Sequence, residues 1–155
     1  MSETMSEPLE DAIKIAQKWL DTSALTATNK QFDEHFNLIS KKVVVKGVPG
    51  YDSISYDDWA RQSEQEFKEG VLESVSYEGL KMLATNKRQI MFKTVETVCA
   101  SDGTSRAHGV EILLGLEEDG EWRVTQERVL TDDESLHDGL ITTIKGIPIK
   151  EVKFN

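Results

Sequence analysis

Cysteine is almost absent from this chain of 155 residues: Cys99 stands alone, which excludes an intramolecular disulfide and a thiolate metal cluster. Histidine is nearly as scarce. His35, His108 and His137 lie in three separate segments with no His-x-x-x-His spacing, so no metal site is expected and no cofactor is assigned. Positive charge is also short, with 18 lysines and arginines against 28 acidic residues, a net charge of -10 and no polybasic block. A phosphate-backbone binder needs a basic footprint, so nucleic acid is not an expected partner. No apolar run approaches the length of a membrane span, and the acidic opening Met1 to Glu10 lacks the apolar centre of a secretory signal. These absences point to a cytoplasmic protein with no membrane partner.

What remains is enough for one self-sufficient domain. A chain of this length buries about 70% of its unfolded surface on folding and needs no metal or disulfide to hold its core. The domain is expected over residues 7–133, with 134–155 as an extension.

Arg88 to Leu130 carries the clearest pattern, three alternating runs joined by Ser101-Asp102-Gly103 and Glu118-Asp119-Gly120. A three-residue loop ending in a left-handed glycine pairs Leu116 with Trp122, Leu114 with Val124, Ile112 with Gln126 and Val110 with Arg128. A two-residue loop would set Leu116 against Arg123 and mix the faces. The same rule at Gly103 pairs Val98 with Arg106, Glu96 with His108, Thr94 with Val110, Phe92 with Ile112 and Ile90 with Leu114. One covered face results, apolar at one end and polar at the other (Thr94, Glu96, Arg106, His108, Gln126, Arg128). Glu111, Arg123, Glu127 and Lys93 take the outer face, where Leu113, Val95 and Val129 suggest a dimer contact. Cys99 reads as a small packed residue on the sheet.

Three helices precede these strands. The first starts near Ser6 and Pro8 and carries Leu9, Ala12, Ile13, Ala16, Trp19 and Leu20 on one side. Thr28 to Gln31 has the form of a capping box, opening a second helix with Phe32, His35, Phe36 and Ile39 on one stripe. Lys42 to Lys46 is a strand, ended by Gly47-Val48-Pro49-Gly50. Ser53 or Ser55 caps a third helix that Gly70 terminates, with Tyr56, Trp59, Ala60, Ser63 and Phe67 on its apolar face. Val71 to Leu83 alternates, and an odd-length turn at Thr85-Asn86-Lys87 sets Met82 against Ile90 and Leu80 against Phe92. The architecture is α+β, with the helices packed on one side of a curved, mostly antiparallel sheet.

The element order, the strand ending in Val48-Pro49-Gly50, the helix opening Ile54-Ser55-Tyr56-Asp57-Asp58-Trp59, and the closing Glu118-Asp119-Gly120-Glu121-Trp122-Arg123-Val124 resemble the nuclear transport factor two-like superfamily. The likeness is to its SnoaL-like and ketosteroid-isomerase-like branch, over about Pro8 to Leu130. It implies a cone-shaped α+β barrel, usually dimeric, around a pocket for a small apolar molecule, in a family of isomerases, dehydratases, cyclases, hydrolases and non-enzymatic modules. The chain departs from the isomerases: Val45-Lys46-Gly47-Val48-Pro49 has no acid where their catalytic aspartate stands, and the first helix has no tyrosine. Leu136 to Asn155 runs beyond the usual domain end, as an edge strand or a dimer arm.

Glu96 opposite His108 is the candidate catalytic pair, since a carboxylate orients an imidazole and raises its basicity. Arg128 is the candidate anion-holding group, with Gln126 and Thr94 beside it. Trp19, Trp59 and Phe92 are candidate pocket walls. The expected partners are a small apolar or anionic metabolite and a second copy of the chain through the convex sheet face. Two readings stay open: a lyase, isomerase or hydrolase, and a non-catalytic binding or dimerisation module.

Overall fold

The computed structural model describes residues 2–140, 143–144 and 147–148, with side chains described for 8–140. Helix α1 spans Ser2–Thr28 and α2 spans Phe32–Phe36. Strands β1 (Ile39–Lys46) and β2 (Ile54–Ser55) lead into α3 (Tyr56–Glu69), and four strands follow: β3 (Leu72–Thr85), β4 (Gln89–Ala100), β5 (Ser105–Leu116) and β6 (Trp122–Val129). Helix α4 covers Asp132–His137, and β7 (Thr143–Ile144) pairs with β8 (Ile147–Pro148).

The six main strands form one sheet in the order β2-β1-β6-β5-β4-β3, antiparallel except for β1 beside β6. The architecture is the expected α+β layering on a curved sheet. Its inner face packs Ile90, Phe92, Val110, Ile112, Leu114 and Val124 against Ala12, Ala16, Trp19 and Leu20 of α1, all buried. Burying a side chain of this kind contributes about 1.5–3 kcal/mol, so this layer supplies much of the drive to fold. Irregular pairing along β3, and at single points in β1 and β6, gives the sheet its bends.

Helix α3 follows its sequence signals. The Ser55 hydroxyl accepts from the Asp58 N–H, and left-handed Gly70 closes the C-terminus. Other boundaries moved. Helix α1 begins before Pro8, which lies inside it, because proline removes one backbone bond without always ending a helix. Thr28 ends α1 instead of capping α2: its hydroxyl bonds the Val75 backbone, accepting from N–H at 3.1 Å and donating to C=O at 3.3 Å. Gln31 precedes α2 without a side-chain cap, and Ile39 opens β1.

The β4–β5 register is as expected, from Val98 opposite Arg106 through Glu96 opposite His108 to Ile90 opposite Leu114. Both three-residue turns close on a left-handed glycine, Gly103 and Gly120. The β3–β4 register differs from expectation: Met82 faces Phe92 and Thr85 faces Ile90. Bulges on either side of Lys81 and Met82 absorb the difference, and the Asn86 side chain, accepting from Arg88 N–H at 2.9 Å, forms the turn without glycine.

The decisive correction is in β6. Leu116 faces Trp122 and Leu114 faces Val124, as expected, but Leu113 then faces Gln126 and Ile112 faces Glu127. Thr125 is the extra residue, and a bulge inverts the parity of everything after it. Its hydroxyl donates to the Leu113 carbonyl at 3.2 Å. Gln126 and Arg128 therefore leave the covered face, while Glu127 and Val129 enter it.

The outer face is partly covered by α4. Gly109, the strand partner of Val95, lies against Ser135 so closely that an added Cβ would stand 2.3 Å from the hydroxyl oxygen. Asp138 clamps Lys93 at 2.6 Å and Lys81 at 3.3 Å. The extension after Leu140 lies mostly outside the described residues, including the tail expected as an edge strand or dimer arm. Among the described residues, no helix is long and apolar enough to cross a membrane.

Candidate functional site

Between the inner sheet face and the helices lies a cavity of about 340 Å³. Apolar walls come from α1 (Trp19), α3 (Trp59, Phe67), β1 (Val45) and β3 (Val75), and its polar groups come from four strands and helices. Glu96 of β4, His108 of β5, Glu127 of β6, Tyr77 of β3 and His35 of α2 all line it. Strand alternation places the first two, the Thr125 bulge places Glu127, and closure of the helices over the sheet brings His35.

Glu96 is held from two sides. Its Oε1 lies 3.3 Å from His108 Nε2, and its Oε2 accepts from the Tyr77 hydroxyl at 3.1 Å. Because the single Tyr77 proton points to Glu96, the Tyr77 oxygen accepts from Ser23, 3.0 Å away. A chain from Ser23 through Tyr77 thus fixes the carboxylate beside His108. Burial, the Glu96 charge and the Glu127 charge together push the Tyr77 hydroxyl well above the usual tyrosine range, so it stays a donor.

Glu127 is in a different state. It is 8% exposed and hydrogen-bonds no side chain among the described residues. Burial first, and the nearby Glu96 charge second, push its carboxyl up to about 8, so it is mostly protonated at neutral pH. Two carboxyl groups of one cavity are thereby separated in function: Glu96 accepts two partners, and Glu127 holds a proton and has none.

His35 is kept neutral by burial, which lowers its affinity for protons, although the Glu96 charge acts in the opposite direction. Its Nδ1 lies 3.0 Å from the Thr26 hydroxyl, which itself donates to the Thr22 carbonyl at 2.8 Å. The Thr26 proton is committed, so Nδ1 carries the ring proton and Nε2 carries the lone pair.

Of the residues selected from sequence, Glu96, His108, Trp19 and Trp59 meet in this cavity. The indole N–H of Trp19 donates to the Leu38 carbonyl at 3.1 Å, which fixes its ring. Thr94 and Phe92 are fully buried in the packed core; the Thr94 hydroxyl donates to the Glu78 and Gly79 carbonyls and holds the β3 bulge. Gln126 and Arg128 face outward. Arg128 is engaged by Glu111 at 3.2 Å and Glu134 at 2.9 Å, tying β5 to α4.

Sequence reading missed Tyr77, Ser23 and the inward turn of Glu127. The last had a signal: Val124 and Val129 are both apolar but five residues apart, a spacing that alternation without a bulge cannot put on one face.

No family model and no curated protein sequence matches the chain. Solved structures do match in shape. A scytalone dehydratase-like protein from Novosphingobium aromaticivorans superposes with TM-score 0.67 at 8% identity, covering 80% of this chain and 86% of that one. A nuclear transport factor two-like protein with a cystatin-like fold from the same organism gives 0.66 at 11% identity, over 90% and 95%. A Catenulispora acidiphila protein in complex with S-DNPA gives 0.61 at 16% identity, over 81% and 96%. The fold is the cystatin-like α+β fold of the nuclear transport factor two-like proteins.

Proposed function

We propose that this protein is a small-molecule enzyme of the lyase or isomerase type, which removes a proton from carbon and delivers it within the cavity, to another carbon of the same molecule in an isomerisation or to the departing hydroxyl, lost as water, in an elimination. The carrying observation is the Glu96–His108 contact at 3.3 Å, with Glu96 held by Tyr77 in the wall of a 340 Å³ space. With Nε2 turned to the carboxylate, Glu96 stabilises the protonated ring and leaves Nδ1 to take the substrate proton. Tyr77 and Ser23 act on Glu96 and are positioning residues. The aromatic walls at Trp19 and Trp59 suit a compact, flat, largely apolar substrate. A scytalone dehydratase-like fold neighbour is compatible with this class and does not identify the substrate.

The test is proton exchange in D2O. Enolisable aromatic ketones, with 2-tetralone as the first probe, should gain deuterium faster with the protein than in buffer. His108→Gln and Glu96→Gln should each lower that exchange by about 10²-fold or more while the proteins stay folded. Equal exchange by the variants, or none above buffer across the panel, would favour a binding module instead.

A further inference from the structure

We propose that the cavity takes a protonated amine carried on an aromatic body, with the ammonium seated at Glu127 within the field of Glu96. This rests on the reading of the cavity as a substrate site and names the class of molecule it selects.

The charge of the lining is one-sided. Glu66, Glu96 and Glu127 contribute acid, and among the described residues no lysine or arginine lines the cavity. Arg128, the group on which an anionic ligand would depend, faces the opposite side of the sheet and is paired twice. An anion entering this space meets Glu96 with no lysine or arginine to offset it, which is unfavourable in a low-dielectric site.

Glu127 points to a cation as well. Its side chain is more than nine-tenths buried, reaches the cavity and has no hydrogen-bond partner among the described residues. A buried carboxyl in this condition keeps its proton for want of a cation. No three acidic or imidazole groups among the described residues converge as metal ligands, so the geometry favours one directional cation over a metal ion. Trp59 and Trp19 in the lining supply aromatic surroundings that favour an ammonium and cover its organic body.

The binding step balances in protons. An ammonium enters, the Glu127 carboxyl releases its proton to solvent, and the ion pair forms in its place. The other titratable groups facing the space are Glu96 from β4, His108 from β5, Tyr77 from β3, His35 from α2 and Glu66 from α3. Of these, Tyr77 stays protonated and His35 stays neutral at and above neutral pH, so neither supplies the counter-charge.

Three isosteric probes decide the matter: 2-phenylethylamine, 2-phenylethanol and phenylacetate, titrated calorimetrically into the full chain at several pH values and in two buffers of different ionisation enthalpy. The amine should bind more tightly by up to tenfold per pH unit until the pH reaches the Glu127 midpoint, and then level off. It should release close to one proton below that midpoint, and phenylacetate should not bind. Glu127→Gln should abolish both the proton release and the pH slope. Tighter binding of 2-phenylethanol with falling pH and no amine binding would overturn the proposal, since Glu127 would then serve as a neutral donor. Amine binding without proton release, or no binding of any probe, would overturn it as well. The D2O exchange assay reads the His108–Glu96 pair separately, so retained exchange alongside failed amine binding removes this inference alone.

Discussion

Glu127 stands beside Val45 across the parallel β1–β6 pair, on the cavity side of the sheet. That position follows from one unpaired residue, Thr125. Upstream of it β6 follows simple alternation, and downstream each side chain has changed face. The bulge sends Arg128 to the outer ion pairs and brings a carboxyl into the interior, reversing the polarity that unbroken alternation would have given the site.

The first expectation concerns stability against pH. Glu127 is raised from its ordinary 4.5 to about 8, so between these values the folded protein keeps a proton that the unfolded chain has lost. Stability should fall as pH rises through that window and flatten above it. Glu127→Gln should remove the fall, leaving the variant more stable than the parent at the alkaline end by about 2–4 kcal/mol. Urea denaturation at a series of pH values measures both curves.

Tyr77 bonds Glu96 and feels the charge of Glu127. Its ionisation should occur only above the ordinary tyrosine range, visible as a late step in tyrosinate absorbance, and Glu127→Gln should move that step downward by removing one of the charges that raise it. Tyr77→Phe leaves Ser23 without this acceptor and Glu96 with only His108, its Oε2 unpaired, at a cost of about 1–3 kcal/mol. Proton exchange on 2-tetralone should fall with it, because the carboxylate beside His108 loses its anchor.

Gly47 tests how β1 leaves the sheet. It has φ of +83°, and an added Cβ would stand 2.3 Å from the Val129 carbonyl oxygen, which is backbone and cannot swing aside. Gly47→Ala should destabilise the fold by more than about 2 kcal/mol through strain and clash together. A shift in thermal midpoint reads this directly; an unchanged midpoint would mean that this approach is not so close.

Gly109 tests the attachment of α4. An alanine there meets the Ser135 hydroxyl and the Leu130 side chain, 3.1 Å from the nearer methyl. Gly109→Ala should cost about 1–3 kcal/mol and loosen α4 from the outer face. Hydrogen exchange should rise at Ser135 and Asp138, whose amides bond back into the helix, while the β4 amides stay protected.

The β4–β5 pairing was legible because two long runs alternate without interruption up to a turn with left-handed glycine, and parity then follows from counting. The same counting failed on β6 because a bulge adds one residue without changing composition. The pocket walls at Trp19 and Trp59 were legible from helical periodicity. Thr94 and Phe92 lie on the expected inner face, but neighbouring elements cover them completely, and depth along a curved sheet is not a property of one strand. Tyr77 and Ser23 were not legible: Tyr77 stands opposite Glu96 only because bulges shift the β3–β4 register, and Ser23 reaches Tyr77 only because α1 crosses β3, which no local pattern records. His35 was visible as a member of an apolar stripe, while its tautomer depended on Thr26, nine residues earlier in another helix.

The most direct test of the account is a carbon-13 NMR titration of the glutamate side-chain carboxyls in the unliganded protein, with Glu127→Gln as the assignment control. The expected result is one carboxyl whose midpoint lies near 8 and which vanishes in the variant. Titration of every glutamate in the ordinary range near 4.5 would contradict it, placing Glu127 in solvent and removing the protonated carboxyl from the cavity.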